Sequence, residues 1–186
     1  RTPGGHDPLV RRDELESLGV QLPVLATVAL GALPGAPRWA GRLLAAGVDV
    51  VASGAAADTA ETWAAARDEV PFRPVKATAG DVARLAAAGA RIIETAGAVP
   101  PGVYRLGPDE DAVAVVDGGS PEVEDPDVAG RRIVEAVRGG VASRLWVVAT
   151  PGLDGLPEDV AEAKLRALAE SAYRARLVFA KEQFAD

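Results

Sequence analysis

Short apolar runs alternate along the chain with alanine-rich, helix-prone runs. The apolar runs are Val24–Leu30, Val48–Ser53, Phe72–Thr78, Arg91–Thr95, Ala112–Val116 and Leu145–Thr150. They are continuous more than alternating, which predicts strands covered on both faces. Punctuation supports helices between them. Pro37 suits a first helical position and Gly47 a stop just past Arg38–Ala46. Asp58 with Glu61 resembles a capping box. Asp81 opens a short helix that Gly89 ends. Asp125-Pro126 reads as a cap followed by a first-turn proline. In the last run, Ala161, Leu165, Leu168, Ala172, Ala175 and Phe179 form one apolar stripe at helical spacing, with Glu, Lys and Arg assigned to the other faces.

Repeated strand–helix units imply a parallel sheet with right-handed crossovers. A doubly wound sheet and a (β/α) barrel both satisfy that pattern. Gly31-Ala32-Leu33-Pro34-Gly35 after the first strand is a glycine–proline turn and not a G-x-G-x-x-G phosphate cradle. Residues 96–111, with tandem Pro100-Pro101 and three glycines, read as a loop with at most a short turn. A crossover takes about 10–12 residues and usually a helix, so something the alternation predicts is absent there. The division expected is an N-terminal extension over 1–22 and a single domain over 23–186.

Composition narrows the partners. The 186 residues suffice for one domain with a substantial core. The net charge of −7, with basic residues scattered, argues against nucleic acid and anionic lipid as partners. No apolar run approaches the roughly 20 residues of a membrane span, and the first residues carry no apolar signal core. There is no cysteine, so disulfides, thiolate metal sites and thiol nucleophiles are all excluded. A cytoplasmic location is the expectation. Methionine is also absent.

Several segments resemble, in order, the catalytic barrel of the cobalamin-independent methionine synthase family. Arg91-Ile92-Ile93-Glu94-Thr95, preceded by DVARLAAAGA, is similar to its fourth strand and the helix before it. Val115-Val116-Asp117 followed by Ser120-Pro121-Glu122-Val123-Glu124 is similar to the seventh strand and its turn. Arg144-Leu145-Trp146-Val147 and Gly152-Leu153 resemble the eighth, and Ala163-Lys164-Leu165-Arg166-Ala167-Leu168 the final helix. Leu30-Gly31-Ala32-Leu33-Pro34 is a weaker likeness to the turn after strand one. The likeness covers 81–100 and 112–178 and is poor before residue 70. It implies a TIM-barrel-like (β/α) fold with about six recognisable βα units and two missing at 96–111.

The same resemblance implies lost chemistry. The family's fifth and sixth strands carry a histidine, a cysteine and a glutamate that bind zinc, and these fall in the gap. The fourth ligand, a cysteine, aligns with Pro151. The acidic pair after strand four aligns with Ala96 and Gly97, the first-turn serine with Ala32, and the aspartate beside the cysteine with Thr150. Zinc turns the family's substrate thiol into a thiolate. The expectation is therefore a truncated, degenerate relative with no zinc site and no cofactor.

Functional groups of such barrels sit at the C-terminal strand ends. Asp117, Lys76 and Glu94 are the catalytic candidates there, and Ser53, Thr78, Thr95, Ser120 and Thr150 the substrate-binding ones. For Asp117 the competing reading is a cap on the Gly118-Gly119 turn. For Lys76 and Glu94 it is a structural ion pair rather than an acid–base couple. His6, the one histidine, reads as a solvated terminal residue. The carboxylates of Glu122, Glu124, Asp125 and Asp127 read as helix-start chemistry more simply than as a cation site. Two functions compete: a non-catalytic small-molecule binding or assembly protein, and a metal-free enzyme of the methyltransferase or decarboxylase type acting at the barrel mouth. An uncovered edge at the gap implies a tightened barrel or a homodimer.

Overall fold

The computed structural model describes residues 25–35, 39–50, 59–61, 63, 75–78, 80–106, 112–139 and 146–183. The expected N-terminal extension, Asp58, and parts of the first, second, third and sixth apolar runs lie outside them. Among the described residues six strands are present: β1 (Ala26–Ala29), β2 (Val75–Lys76), β3 (Ile92–Glu94), β4 (Tyr104–Leu106), β5 (Ala112–Val116) and β6 (Trp146–Ala149). The helices are α1 (Ala40–Ala46), α2 (Val82–Ala87), α3 (Pro126–Arg138) and α4 (Glu158–Gln183), with a 3-10 turn at Leu153–Gly155.

Every strand pair is parallel, as the continuous apolar runs predict. The expected barrel is not formed. The strands make two three-stranded sheets, ordered β1-β6-β5 and β2-β3-β4, and the described residues contain no closed barrel. Closure requires each strand to be hydrogen-bonded on both sides with a matched stagger. Here β2, β4 and β5 each pair with one strand among the described residues. Val50, from the second apolar run, adds a single parallel bridge to Val28.

Residues 96–111 also differ from expectation. The Pro100-Pro101-Gly102 turn is followed by β4, which pairs with β3 at Ile92↔Tyr104 and Glu94↔Leu106. The strand is legible in hindsight. Val103 faces the cluster around α2, whereas Tyr104 faces the one between the sheets, the alternation a pleated strand imposes. Its flanking prolines and glycines masked it. The edge of β3 that was expected to be open is therefore covered by the chain itself.

Three apolar clusters hold these layers. Between the sheets, Ala26, Val28 and Leu30 of the β1 segment meet Trp146, Val148, Ile92 and Tyr104. The Tyr104 and Trp146 rings lie 6.0 Å apart at 56°, and Trp146 Nε1 donates to the Tyr104 hydroxyl at 3.3 Å. On the outer face of the first sheet, Val113, Val115, Val147 and Ala149 pack under α1, α3 and α4. On the outer face of the second, Ile93 packs with Leu85, Val82 and Trp63. Burying one Leu or Ile side chain stabilises by about 1.5–3 kcal/mol, so the alternate positions of the strands tie both layers.

Helix ends follow the local chemistry. Asp125 Oδ1 accepts from the backbone N–H of Asp127 at 2.7 Å and of Val128 at 3.3 Å, and Pro126 occupies the first turn. These two donors hold the Asp125 carboxyl below its ordinary range. Gly47 ends α1 with φ 81°, a left-handed conformation that suits glycine. Asp81 precedes α2 without capping it, since its carboxylate takes the Thr78 hydroxyl at 2.7 Å and pairs with Arg84. These two partners, Thr78 first, lower its pKa.

Candidate functional site at the strand ends

The C-terminal ends of β1, β3, β5 and β6 bring most of the nominated residues into view. Asp117 follows β5 directly. Its Oδ1 accepts from Gly119 N at 2.9 Å, and its own N–H donates to Glu124 Oε1 at 2.8 Å. The first bond is the turn cap that competes with a catalytic role. Thr150, after β6, accepts from Gly118 N at 2.9 Å through its hydroxyl, while its N–H donates to Val116 O. Ser120 accepts from Glu122 N at 3.2 Å and Thr95 from Gly97 N at 3.2 Å. Thr78 donates to Asp81. Ser53 and His6 lie outside the described residues.

Glu94 does something different. Its Oε1 accepts from Gly31 N at 3.2 Å, so a carboxylate on the second sheet ties down the turn that leaves the first. Lys76 is the register partner of Glu94 across β2 and β3.

The turns themselves are packed backbone to backbone. A Cβ on Gly118 would sit 2.2 Å from Thr150 O, and Gly31 has φ 82° with its Cβ position 3.0 Å from Pro151 Cβ. Pro151, where the resemblance places a zinc-binding cysteine, therefore brings a carbon ring against Gly31 and no donor atom. Among the described residues no group of three or more His, Asp, Glu or Cys side chains is placed to hold a metal ion. The described residues do not fit a zinc centre.

Two polar networks escaped the sequence reading. Lys164 of α4 is fully buried, and its Nζ lies 3.0 Å from both Glu124 carboxylate oxygens and also donates to Glu122 O. Glu124 Oε1 is the atom that also accepts from Asp117 N. One buried cation thus anchors the whole turn from 117 to 124. A signal for it existed. Ala161, Lys164, Leu165, Leu168, Ser171, Ala172 and Ala175 share one buried helical face, so period alone puts Lys164 among apolar residues. The second network lies at the opposite strand ends. Asp49 Oδ2 accepts from Thr27 N at 2.8 Å, Thr27 Oγ1 at 2.9 Å and Arg176 Nη2 at 2.6 Å. Arg176 also donates to Leu25 O. It fastens β1 to Val50 and the end of α4, a stabilising role.

Fold and site together define an α/β protein of parallel strands whose strand-end carboxylates and hydroxyls bond backbone groups. The sequence matches no protein-family model and no curated protein. No helix among the described residues is long and apolar enough to cross a membrane.

Proposed function

We propose that this chain is a non-catalytic relative of the cobalamin-independent methionine synthases, serving in small-molecule binding or assembly. The observation that carries the reading is the use of the strand-end side chains. Asp117, Ser120, Thr95 and Thr150 each accept a hydrogen bond from a backbone N–H, and so does Glu94. A side chain that accepts such a bond is engaged in holding its own turn or a neighbouring one. Pro151 adds no ligand where the family's thiolate would sit. The test is zinc loading followed by a homocysteine methylation assay. We expect no stoichiometric zinc and no methionine. One zinc per chain with methionine formed would overturn the reading.

A second reading is a metal-free enzyme, favoured by the register that sets Lys76 beside Glu94. In that case the pair is the acid–base couple, and Glu94→Gln abolishes turnover of whatever small molecule binds. Without that reading, Glu94→Gln leaves small-molecule binding unchanged, because the amide oxygen still accepts from Gly31 N.

A further inference from the structure

The solvent face of α4 is unusual for the outermost helix of a layered fold. Tyr173 is 53% exposed and Leu177 40%, one turn apart, with Arg166 and Glu170 on the same face. One open cleft of about 670 Å³ lies along this face, its lining including Val123, Glu124, Ala163, Gly47 and Tyr173. Val123 is 48% exposed. Aromatic and large apolar side chains beside a cleft are the composition of an interface core.

The charges say what fits there. Glu162, Arg166, Glu170 and Arg174 follow one another at four-residue spacing with alternating sign, each Glu bonded to the Arg one turn on. Such a row is self-complementary under a two-fold axis. In an antiparallel pairing centred beside Leu168, Arg166 faces Glu170 of the second copy, twice by symmetry. Ala169, small and half-buried, lies on the Gly47 flank of the crossing and lets the helices approach. Tyr173 then falls between Glu162 and Arg166 of the second copy. We infer that α4 is the interface of a homodimer, its partner a second copy of this chain. The inference stands apart from the proposed function, because this face is on the helical layer and the strand ends play no part in it.

Sedimentation equilibrium of the full chain over a roughly hundredfold concentration range tests it. A species of twice the 19.1 kDa chain mass is expected. Arg166→Glu and Tyr173→Asp should each raise the dissociation constant by about tenfold or more. Arg166→Glu combined with Glu170→Arg should recover dimerisation, because the facing charges are again opposite. The chain has no cysteine, so Ala169→Cys offers a readout independent of affinity. It should form a disulfide-linked dimer under mild oxidation, whereas Asp154→Cys, on the 3-10 turn, should not. A monomer at every concentration, a dimer indifferent to both single variants, a charge swap that recovers nothing, or equal crosslinking at 154 and 169 would each overturn the inference.

Discussion

The buried ammonium of Lys164 lies 3.0 Å from both carboxylate oxygens of Glu124. A lysine with no solvent contact needs acceptors for its charge, and Glu122 O and Glu124 supply them. Lys164→Met removes the cation but leaves Glu124 82% covered at the side chain, reading from its 18% exposure. The cost should be about 3–5 kcal/mol, because one partner of a buried pair is stranded. Lys164→Met with Glu124→Leu should recover much of that loss, since two apolar groups need no counter-charge. Urea unfolding of both single variants and the double variant closes the cycle.

Gly118 occupies a position that only hydrogen can fill. A methyl group there meets Thr150 O at 2.2 Å and Pro151 carbonyl atoms within 2.9 Å. Both are backbone, so neither can swing aside. Gly118→Ala should destabilise by about 1–3 kcal/mol or more. Gly119→Ala is the control, because its nearest neighbour is the Asp117 carboxylate at 3.4 Å, an ordinary contact. Thermal melts of the two variants should differ, with Gly118→Ala the lower.

The inner core depends on two rings. Trp146 is 2% exposed and Tyr104 4%, and they meet from opposite sheets. Trp146→Ala should cost about 3–5 kcal/mol. The coupling between Trp146→Phe and Tyr104→Phe should be smaller, about 0.5–1.5 kcal/mol at most, because ring contact is retained in both. A double-mutant cycle by chemical denaturation measures it.

The Asp125 cap carries a pH dependence. Its folded carboxyl is below the ordinary range because Asp127 and Val128 N–H groups bond the anion. A depressed folded value means the cap contributes fully above the unfolded aspartate value, about 3.9. The contribution is lost as pH falls through the lower folded value. Asp125→Asn should keep an acceptor for the helix start and flatten this acid dependence. Asp125→Ala should lose both. Stability compared near pH 7 and near pH 3 separates the three chains.

Much of the architecture can be read from local signals. Asp125-Pro126 places the start of α3, Gly47 the end of α1, and Gly89, with φ 105°, follows the end of α2. The apolar runs at Ala112–Val116 and Trp146–Ala149 are strands at nearly the expected bounds. Asp117 was legible both as a strand-end carboxylate and as a turn cap, and the structure shows the cap. Two features are not legible locally, each for its own reason. β4, the three residues Tyr104–Leu106, is hidden because it is short and flanked by prolines and glycines. Lys164 has the residue type of a polar face but the helical position of the buried stripe.

By itself the sequence determines a parallel α/β protein without thiols and without a ligand atom at Pro151. Those properties follow from residue identity and from periods of a few residues, which neighbouring positions carry. Only the tertiary structure decides that the strands form two sheets about a Trp146–Tyr104 core instead of closing into a barrel. It alone decides that Glu94 reaches Gly31, 63 positions away, and that Lys164 reaches Glu124, 40 away. Strand partners and buried charge pairs depend on which surfaces meet in space, and no local period encodes that choice.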